Sequence, residues 1–358
     1  MKCKREKIAA VILLLFFIFN CGLEDIGSYN QNPFRDFDAR VKLIERNLGN
    51  QQDSTFNRNF EVIENSFLTG ESFDLVQINN DMGLIFSQTD QKIIKISRRK
   101  DNYTSEIIAE SGRGPDQIDN GIRLIKSNGK VLLIQRNRIS EVTDVYGNIG
   151  LEAIRNMPIY LNFYSDRKSQ DSLIINTYSF RNETTFRVIN SSFKNQGYKG
   201  GKTVNKNEDV NKIFNFNLVS SNGSNSYYLQ AFLFLPYIGV FDSDLNLLSI
   251  LKFDSFQTIK LDEDDLEVGD VSMIDTKLHT VLAGLHPFGD DKYWIIYEDR
   301  YYTESNKNDF NKRRINKTFH YYEIDKDLET IYKGESKNYL VPFNDIYVSV
   351  RNGSLIYF

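Results

Sequence analysis

The stretch that decides the fold reads GIRLIKSNGKVLLIQRNRISEVTDVYGNIGL, residues 121–151. Two apolar runs, one around Ile122 and one over Val131–Ile134, flank the turn Ser127-Asn128-Gly129-Lys130. Asn-Gly predicts a two-residue hairpin, because both central positions of a type I′ turn need a positive φ. A third run ends at a second turn, Tyr146-Gly147-Asn148, and a fourth run follows. We therefore predict a four-stranded antiparallel meander.

The turn signal of this meander recurs along the chain. It appears at Asn79-Asn80-Asp81, Asn128-Gly129, Ser169-Gln170-Asp171, Asn222-Gly223, Gly289-Asp290-Asp291 and Asn352-Gly353. Four short strands repeated every 40–50 residues or so are typical of a β-propeller. One such sheet cannot bury both of its faces, so the units must stack around an axis. The predicted fold is all-β, a six-bladed β-propeller of four-stranded antiparallel blades over residues 59–358. A β-sandwich is the alternative, since it does not require an even repeat.

The two ends of the chain are expected to close the ring. The last unit shows two strands at the C-terminus, Ile346–Val350 and Ser354–Phe358, so its other strands must come from elsewhere. Phe60–Leu68 is a spare strand-like segment at the other end, and Phe73–Ile78 is a second one. Pairing of N- and C-terminal strands would also remove an exposed sheet edge.

Net charge and cysteine content exclude two broad classes of protein. The formal charge is −4, and residues 1–20 contribute +3, which leaves −7 (−4 − 3) on the rest of the chain. No nucleic-acid partner is therefore expected. The two cysteines are Cys3 and Cys21, and Cys3 lies in the leader, which excludes a disulfide framework.

The N-terminus has the pattern of an export signal. Basic residues precede the apolar run Ile8–Phe19, whose 12 residues are too few to span a bilayer as a helix. Residues 1–20 are therefore predicted to be a signal peptide. The run ends in Ile18-Phe19-Asn20-Cys21-Gly22, which resembles a bacterial lipobox, although Asn20 replaces the usual Gly, Ala or Ser. The resemblance implies lipid attachment at Cys21, and a plain signal peptide or uncleaved anchor is the alternative.

Residues 21–58 are expected to be a lipid-anchored polar tether, with one short helix around Val41–Leu48. Glu24 and Asp25 resemble the acidic tags that follow the lipidated cysteine of surface lipoproteins in Bacteroidota. A solvated tether accounts for them equally well. The expected location is the outer membrane, on its periplasmic or its cell-surface face, with the N-terminal lipid as the contact with the membrane.

A junction between two repeats carries a family resemblance. Ser111-Gly112-Arg113-Gly114-Pro115-Asp116-Gln117 resembles the Gly-x-Gly-Pro-Gly-Glu signature of six-bladed, NHL-like propeller lipoproteins of Bacteroidota. Gly112, Gly114 and Pro115 match, whereas Asp116 and Gln117 replace the Gly-Glu pair. The resemblance implies a fold and a location, because many members of that family have no assigned activity.

No nucleophile elbow, His-Glu-x-x-His helix or P-loop occurs in the sequence, so no catalytic residue and no cofactor are predicted. His279 and His286 bracket a strand-like segment, so they would not both ligate one ion from the same strand, and no metal site is predicted. The candidate ligand-binding residues are Arg113, Arg123, Trp294 and His286. Surface arginines and a core tryptophan are the alternative readings of these residues.

These patterns favour a binding or scaffold protein of the bacterial cell envelope, with a glycan, peptide or partner protein as ligand. The alternative is a lactonase- or lyase-like propeller enzyme, which needs several acidic or histidine groups around a metal in the funnel. Metal analysis of the purified protein would discriminate between the two.

Overall fold

The structure is a computed structural model. It describes residues 32–45, 60–63, 68–100, 102–112, 114, 117–127, 129–136, 138–143, 150–156, 164–167, 172–176, 186–190, 195–204, 208–221, 227–258, 278–289, 291–302, 315–325 and 327–358. These residues form strands and one short helix, α1 (Glu208–Phe214), so the all-β prediction is confirmed. No helix in this part of the chain is long and apolar enough to cross a membrane.

The strands form six sheets, five with four strands and one with five. Sheet 1 is β3 (Asp74–Asn79), β4 (Met82–Ser87), β5 (Lys92–Arg99) and β6 (Asn102–Ala109). Sheet 2 is β7 (Gly121–Ser127), β8 (Lys130–Gln135), β9 (Arg138–Thr143) and β10 (Gly150–Asn156). Sheet 3 is β11 (Tyr164–Arg167), β12 (Ser172–Asn176), β13 (Phe186–Asn190) and β14 (Asn195–Lys199).

The second half of the chain completes the set. Sheet 4 is β15 (Asn217–Ser221), β16 (Tyr227–Phe232), β17 (Tyr237–Asp242) and β18 (Leu247–Phe253), with β1 (Val41–Ile44) as its fifth strand. Sheet 5 is β19 (Leu278–Phe288), β20 (Lys292–Tyr302), β21 (Ile315–Ile324) and β22 (Thr330–Ser336). Sheet 6 is β23 (Val341–Phe343), β24 (Ile346–Arg351) and β25 (Ser354–Tyr357), with β2 (Glu61–Val62) at its edge. The architecture is a β-propeller of antiparallel four-stranded blades.

The meander predicted from residues 121–151 is confirmed by sheet 2. Ser127 pairs with Lys130 across the first hairpin, and Gly129 has a φ of +78°, as its turn requires. The second turn, Tyr146-Gly147-Asn148, lies outside the described residues.

One recurrent turn was assigned to the wrong hairpin. Asn352-Gly353 joins the second and third strands of sheet 6, whereas the corresponding turn in the other sheets joins the first and second strands. The equivalent turn in sheet 6 is Asn344-Asp345, where Asn344 has a φ of +54°. It was missed because β23 is three residues long and contains Pro342, so it gives almost no strand signal.

The apolar cores lie between the sheets. One cluster joins sheets 1 and 2, a second joins sheets 2 and 4 with Val188 of sheet 3 against it, a third joins sheets 4 and 5, and a fourth joins sheets 5, 6 and 1. The first strands of the sheets contact one another, β3 with β7, β7 with β11, β15 with β19, β19 with β23 and β23 with β3. These first strands therefore surround the axis.

Part of the predicted tether belongs to the fold. Residues 32–45, the N-terminal clasp, are packed on sheet 4, and β1 within the clasp pairs in parallel with β18. Phe34 is fully buried against Phe232 and Phe241. The predicted helix around Val41–Leu48 is therefore wrong over residues 41–44, because the free edge of β18 binds them as a strand.

The N- and C-terminal segments meet in sheet 6. Glu61 pairs with Tyr357, and the amide of Ile63 donates to the carbonyl of Leu355 at 2.9 Å. Phe73–Ile78, the second suggested partner, instead overlaps β3, the first strand of sheet 1. Tyr301 pairs with Asn316 in the long β20–β21 hairpin.

Candidate functional site

The axis is closed at mid-height by a cluster of polar side chains from four first strands or the segments that precede them. A guanidinium nitrogen of Arg123 lies 3.4 Å from a carboxylate oxygen of Asp74. The other oxygen of Asp74 accepts the backbone amide of Leu124 at 2.9 Å. Arg123 also donates to the carbonyl of Val219 at 3.1 Å. These bonds tie sheets 1, 2 and 4 together at the axis.

Beside this ion pair lies a second buried pair. The Nε2 atom of His286 and the hydroxyl of Tyr339 share a hydrogen bond of 2.7 Å, and the hydroxyl also reaches the carbonyl of Ala283 at 3.4 Å. Thus the polar groups at the axis satisfy one another, as buried polar groups generally do. We call Asp74, Arg123, His286 and Tyr339 the axial plug.

Burial governs protonation in the axial plug. It raises the pKa of Asp74, while the charge of Arg123 and the Leu124 amide act in the opposite direction. Burial, and secondly the charge of Arg123, lowers the pKa of His286 to about 3, so its imidazole is neutral at neutral pH. Burial also raises the pKa of Tyr339. The plug thus pairs one fixed cation, Arg123, with one carboxylate, Asp74.

The axial plug separates two openings of different size. The narrow mouth has a volume of about 140 Å³ and is bordered by Ser72, Gln88 and Ile122. At the plug the free space falls to about 10 Å³. The wide mouth has about 300 Å³. The wide mouth is therefore the larger of the two openings along the axis.

The wide mouth is lined by the ends of β3, β7, β15 and β19. Its lining residues are Val76, Gln77, Ile78, Asn79, Asn80, Lys126, Ser221, Pro287 and Gly289. The ammonium of Lys126 donates to the carbonyl of Gln77 at 3.2 Å. The side-chain amide of Gln77 donates to the side-chain oxygen of Asn344 at 2.5 Å. Amide groups and one cation thus dominate its polar surface.

The structure brings two of the predicted site residues together. Arg123 lies at the axis and His286 lies in the same plug, although both are engaged with protein groups there. Trp294 lies in the core between sheets 5 and 6, where its indole donates to the carbonyl of Leu340 at 2.9 Å and its ring stacks on Tyr321. With 1% of its surface exposed, Trp294 has no face for a ligand, and we drop it from the candidates. Arg113 and Cys21 lie outside the described residues.

The other two histidines are buried in sheet 5, and His320 belongs to a hydrogen-bond network there. His320 lies 3.0 Å from one oxygen of Asp299, and the Thr280 hydroxyl donates to the other at 2.7 Å. The hydroxyl is thus bonded to the carboxylate and not to the imidazole, which is not the arrangement that activates a nucleophile. Burial lowers the pKa of His279 to about 4. Within the described part of the chain, no group of three or more His, Cys, Asp or Glu side chains could hold a metal ion.

Sequence reasoning missed Asp74, Tyr339, Lys126 and Gln77. Asp74 stands between Phe73 and Leu75 in the sequence and looks like an ordinary strand carboxylate. Which residues of the first strands face the axis depends on contacts between strands far apart in sequence.

No family model and no curated protein matches the chain. Among solved structures, a member of the DUF4221 family from Bacteroides vulgatus is similar, with 11% identity, 83% of this chain and 94% of that chain covered, and a TM-score of 0.52. A structural genomics protein of unknown function from Bacteroides thetaiotaomicron has 10% identity, 85% and 72% coverage and a TM-score of 0.45. The β-propeller domain of Cps50 (Swd1) from Myceliophteria thermophila has 7% identity, 83% and 98% coverage and a TM-score of 0.42. At these identities the likeness concerns the fold alone.

Proposed function

We propose that the chain is an exported, lipid-anchored binding or scaffold protein of the bacterial cell envelope that uses the wide mouth of its propeller. The ligand is a glycan, a peptide or a partner protein. The single observation that carries this proposal is the axial plug. Its polar groups are hydrogen-bonded to one another. We therefore expect a ligand to be recognised at the open mouth of the axis, and we do not expect a reaction at the plug.

A closed ring of six blades belongs to the same proposal. The six sheets follow one another in chain order, and their apolar clusters join sheet 5 to sheets 6 and 1. β2 supplies the fourth strand of sheet 6. These contacts support a ring that is completed by both ends of the chain. The ring positions the first strands, and with them the wide mouth.

The N-terminal clasp limits the distance between the proposed lipid anchor and the propeller. If Cys21 carries lipid, ten residues lie between it and Asn32, which gives eleven Cα-to-Cα steps (32 − 21 = 11). A fully extended chain of that length spans at most about 40 Å. The tether predicted over residues 21–58 would be more than three times longer. We therefore infer that the propeller is held close to the membrane, with sheet 4 as its point of attachment.

The proposed anchor predicts the behaviour of Cys21→Ala. This variant should move from the membrane fraction to the soluble fraction or accumulate as an uncleaved precursor, because the lipid and its processing depend on that thiol. Fractionation and intact mass measure both effects. Cys3→Ala, which alters the other cysteine, is the matched control and should behave as the wild type. A mature Cys21→Ala protein that stays in the membrane with unchanged mass would refute the anchor.

If the ligand binds at the wide mouth, a bulky substitution there should reduce ligand capture, and the same substitution at the narrow mouth should not. Asn80→Trp places a bulky ring at the exposed rim of the wide mouth, and Gln88→Trp does the same at the narrow mouth. On glycan and peptide arrays, Asn80→Trp should lower capture by about tenfold or more, whereas Gln88→Trp should leave it unchanged. Equal capture by Asn80→Trp and wild type, or loss with Gln88→Trp alone, would place the site elsewhere.

A further inference from the structure

We propose that the wide mouth binds the carboxylate of an acidic glycan, with Lys126 as the residue that recognises its charge. This inference rests on the proposed function and adds the chemical class of the ligand. It is carried by the charges, the size and the polar groups of the wide mouth.

The charge of the channel is opposite to that of the protein. Among the described residues, those that line the plug and the wide mouth include two cations, Arg123 and Lys126, and one carboxylate, Asp74. Asp74 neutralises Arg123, so the charge of Lys126 remains. The whole chain has a formal charge of −4. A cationic opening attracts anions.

Lys126 differs from the lysines on neighbouring strands. Lys95 pairs with Glu106 at 2.5 Å, and Lys130 pairs with Glu141 at 2.6 Å. No described carboxylate forms an ion pair with Lys126, whose ammonium donates to the carbonyl of Gln77. Asp345, near the same end of the axis, pairs with Arg98 at 3.6 Å. Lys126 is therefore available for the carboxylate of a ligand.

The other lining groups suit a sugar. Side-chain amides can both donate to and accept from hydroxyl groups, and Gln77, Asn79 and Asn80 supply them around Lys126. The hydroxyl residue Ser221 also lines the mouth. A volume of about 300 Å³ is at the small end of ligand sites and accommodates one or two sugar rings. A uronate disaccharide combines the carboxylate and the hydroxyls that this lining would recognise.

Calorimetric titration of the full chain, purified in detergent, with digalacturonate tests the inference. Wild type should bind, and Lys126→Gln should bind about tenfold more weakly or worse, because a charge-assisted hydrogen bond is lost. Lys126→Arg should restore most of the affinity. Lys130→Gln is the matched control, since it removes the same charge from the next strand outside the cavity, and it should bind as the wild type does.

Four results would overturn the inference. They are equal binding by Lys126→Gln and wild type, equal binding of lactose as a neutral disaccharide, binding of an acetylated Glu-Glu dipeptide in place of digalacturonate, and no binding of digalacturonate by the wild type. The array comparison of Asn80→Trp with Gln88→Trp separates this failure from that of the proposed function. If Asn80→Trp still lowers capture of the array ligands, the wide mouth is the binding site. In that case only the inference that its ligand is an acidic glycan is wrong.

Discussion

Removal of Ser354–Phe358 is expected to unfold the whole propeller instead of fraying its end. Leu355 and Ile356 are almost completely buried, and β25 pairs with both β24 and β2. Burial of each aliphatic side chain contributes about 1.5–3 kcal/mol, and a typical domain has a net stability of about 5–15 kcal/mol. The truncation removes both side chains and exposes an unpaired sheet edge. Circular dichroism during heating should show loss of the entire transition or a large fall in its midpoint.

Single substitutions at two adjacent residues test closure of the ring without removing a strand. Ile63 is fully buried in the cluster that joins sheets 5, 6 and 1, whereas Val62 on β2 is 54% exposed. Ile63→Ala should lower the free energy of unfolding by about 2–5 kcal/mol, and Val62→Ala by less than about 0.5 kcal/mol. If the truncated protein melts like the intact one, or if Ile63→Ala is as stable as Val62→Ala, closure of the ring by the chain ends must be abandoned.

Phe34→Ala is expected to destabilise the propeller by about 3–5 kcal/mol, the usual loss for a fully buried phenylalanine. The ring of Phe34 occupies a space left open by glycine, since a Cβ atom at Gly239 would lie 2.4 Å from it. It packs edge-on against Phe232 with a centroid distance of 5.6 Å. Equilibrium unfolding in urea measures the loss.

Leu43→Ala is the control for Phe34→Ala, because Leu43 lies on the same clasp but is 55% exposed. Its effect should stay within about 0.5 kcal/mol. If Phe34→Ala unfolds at the same urea concentration as the wild type, residues 32–45 contribute no stability. The short distance between propeller and membrane would then lose its basis.

Much of the fold was predictable because its determinants are local. The Asn128-Gly129 hairpin needs two residues of defined backbone conformation, and the alternation of apolar residues around it sets the strands. The N-terminal clasp was not predictable in this way. Its strand Val41–Ile44 has four residues, too few to distinguish a strand from a helix, and its partner β18 lies about 200 residues further along the chain.

The candidate site was predictable only in part. Arg123 and His286 were candidates from the sequence, with a surface arginine as the alternative for Arg123, and the structure places both at the axis. Trp294 was a candidate because the single tryptophan of the chain could stack on a ligand. The structure shows instead that its neighbours in sheet 6 bury it. Lys126 resembles any strand lysine in the sequence. Its significance depends on which carboxylates approach it, and that is a property of tertiary packing.

Hydrogen–deuterium exchange of the full chain, with and without a glycan or peptide selected on the arrays, tests the central claim most directly. If the ligand binds at the wide mouth, amide exchange should slow in peptides that cover residues 76–80 and Lys126, which line it. Peptides that cover Ser72 and Gln88, at the narrow mouth, should exchange as before. Protection confined to the narrow mouth, or to the outer strands of the sheets, would contradict the account.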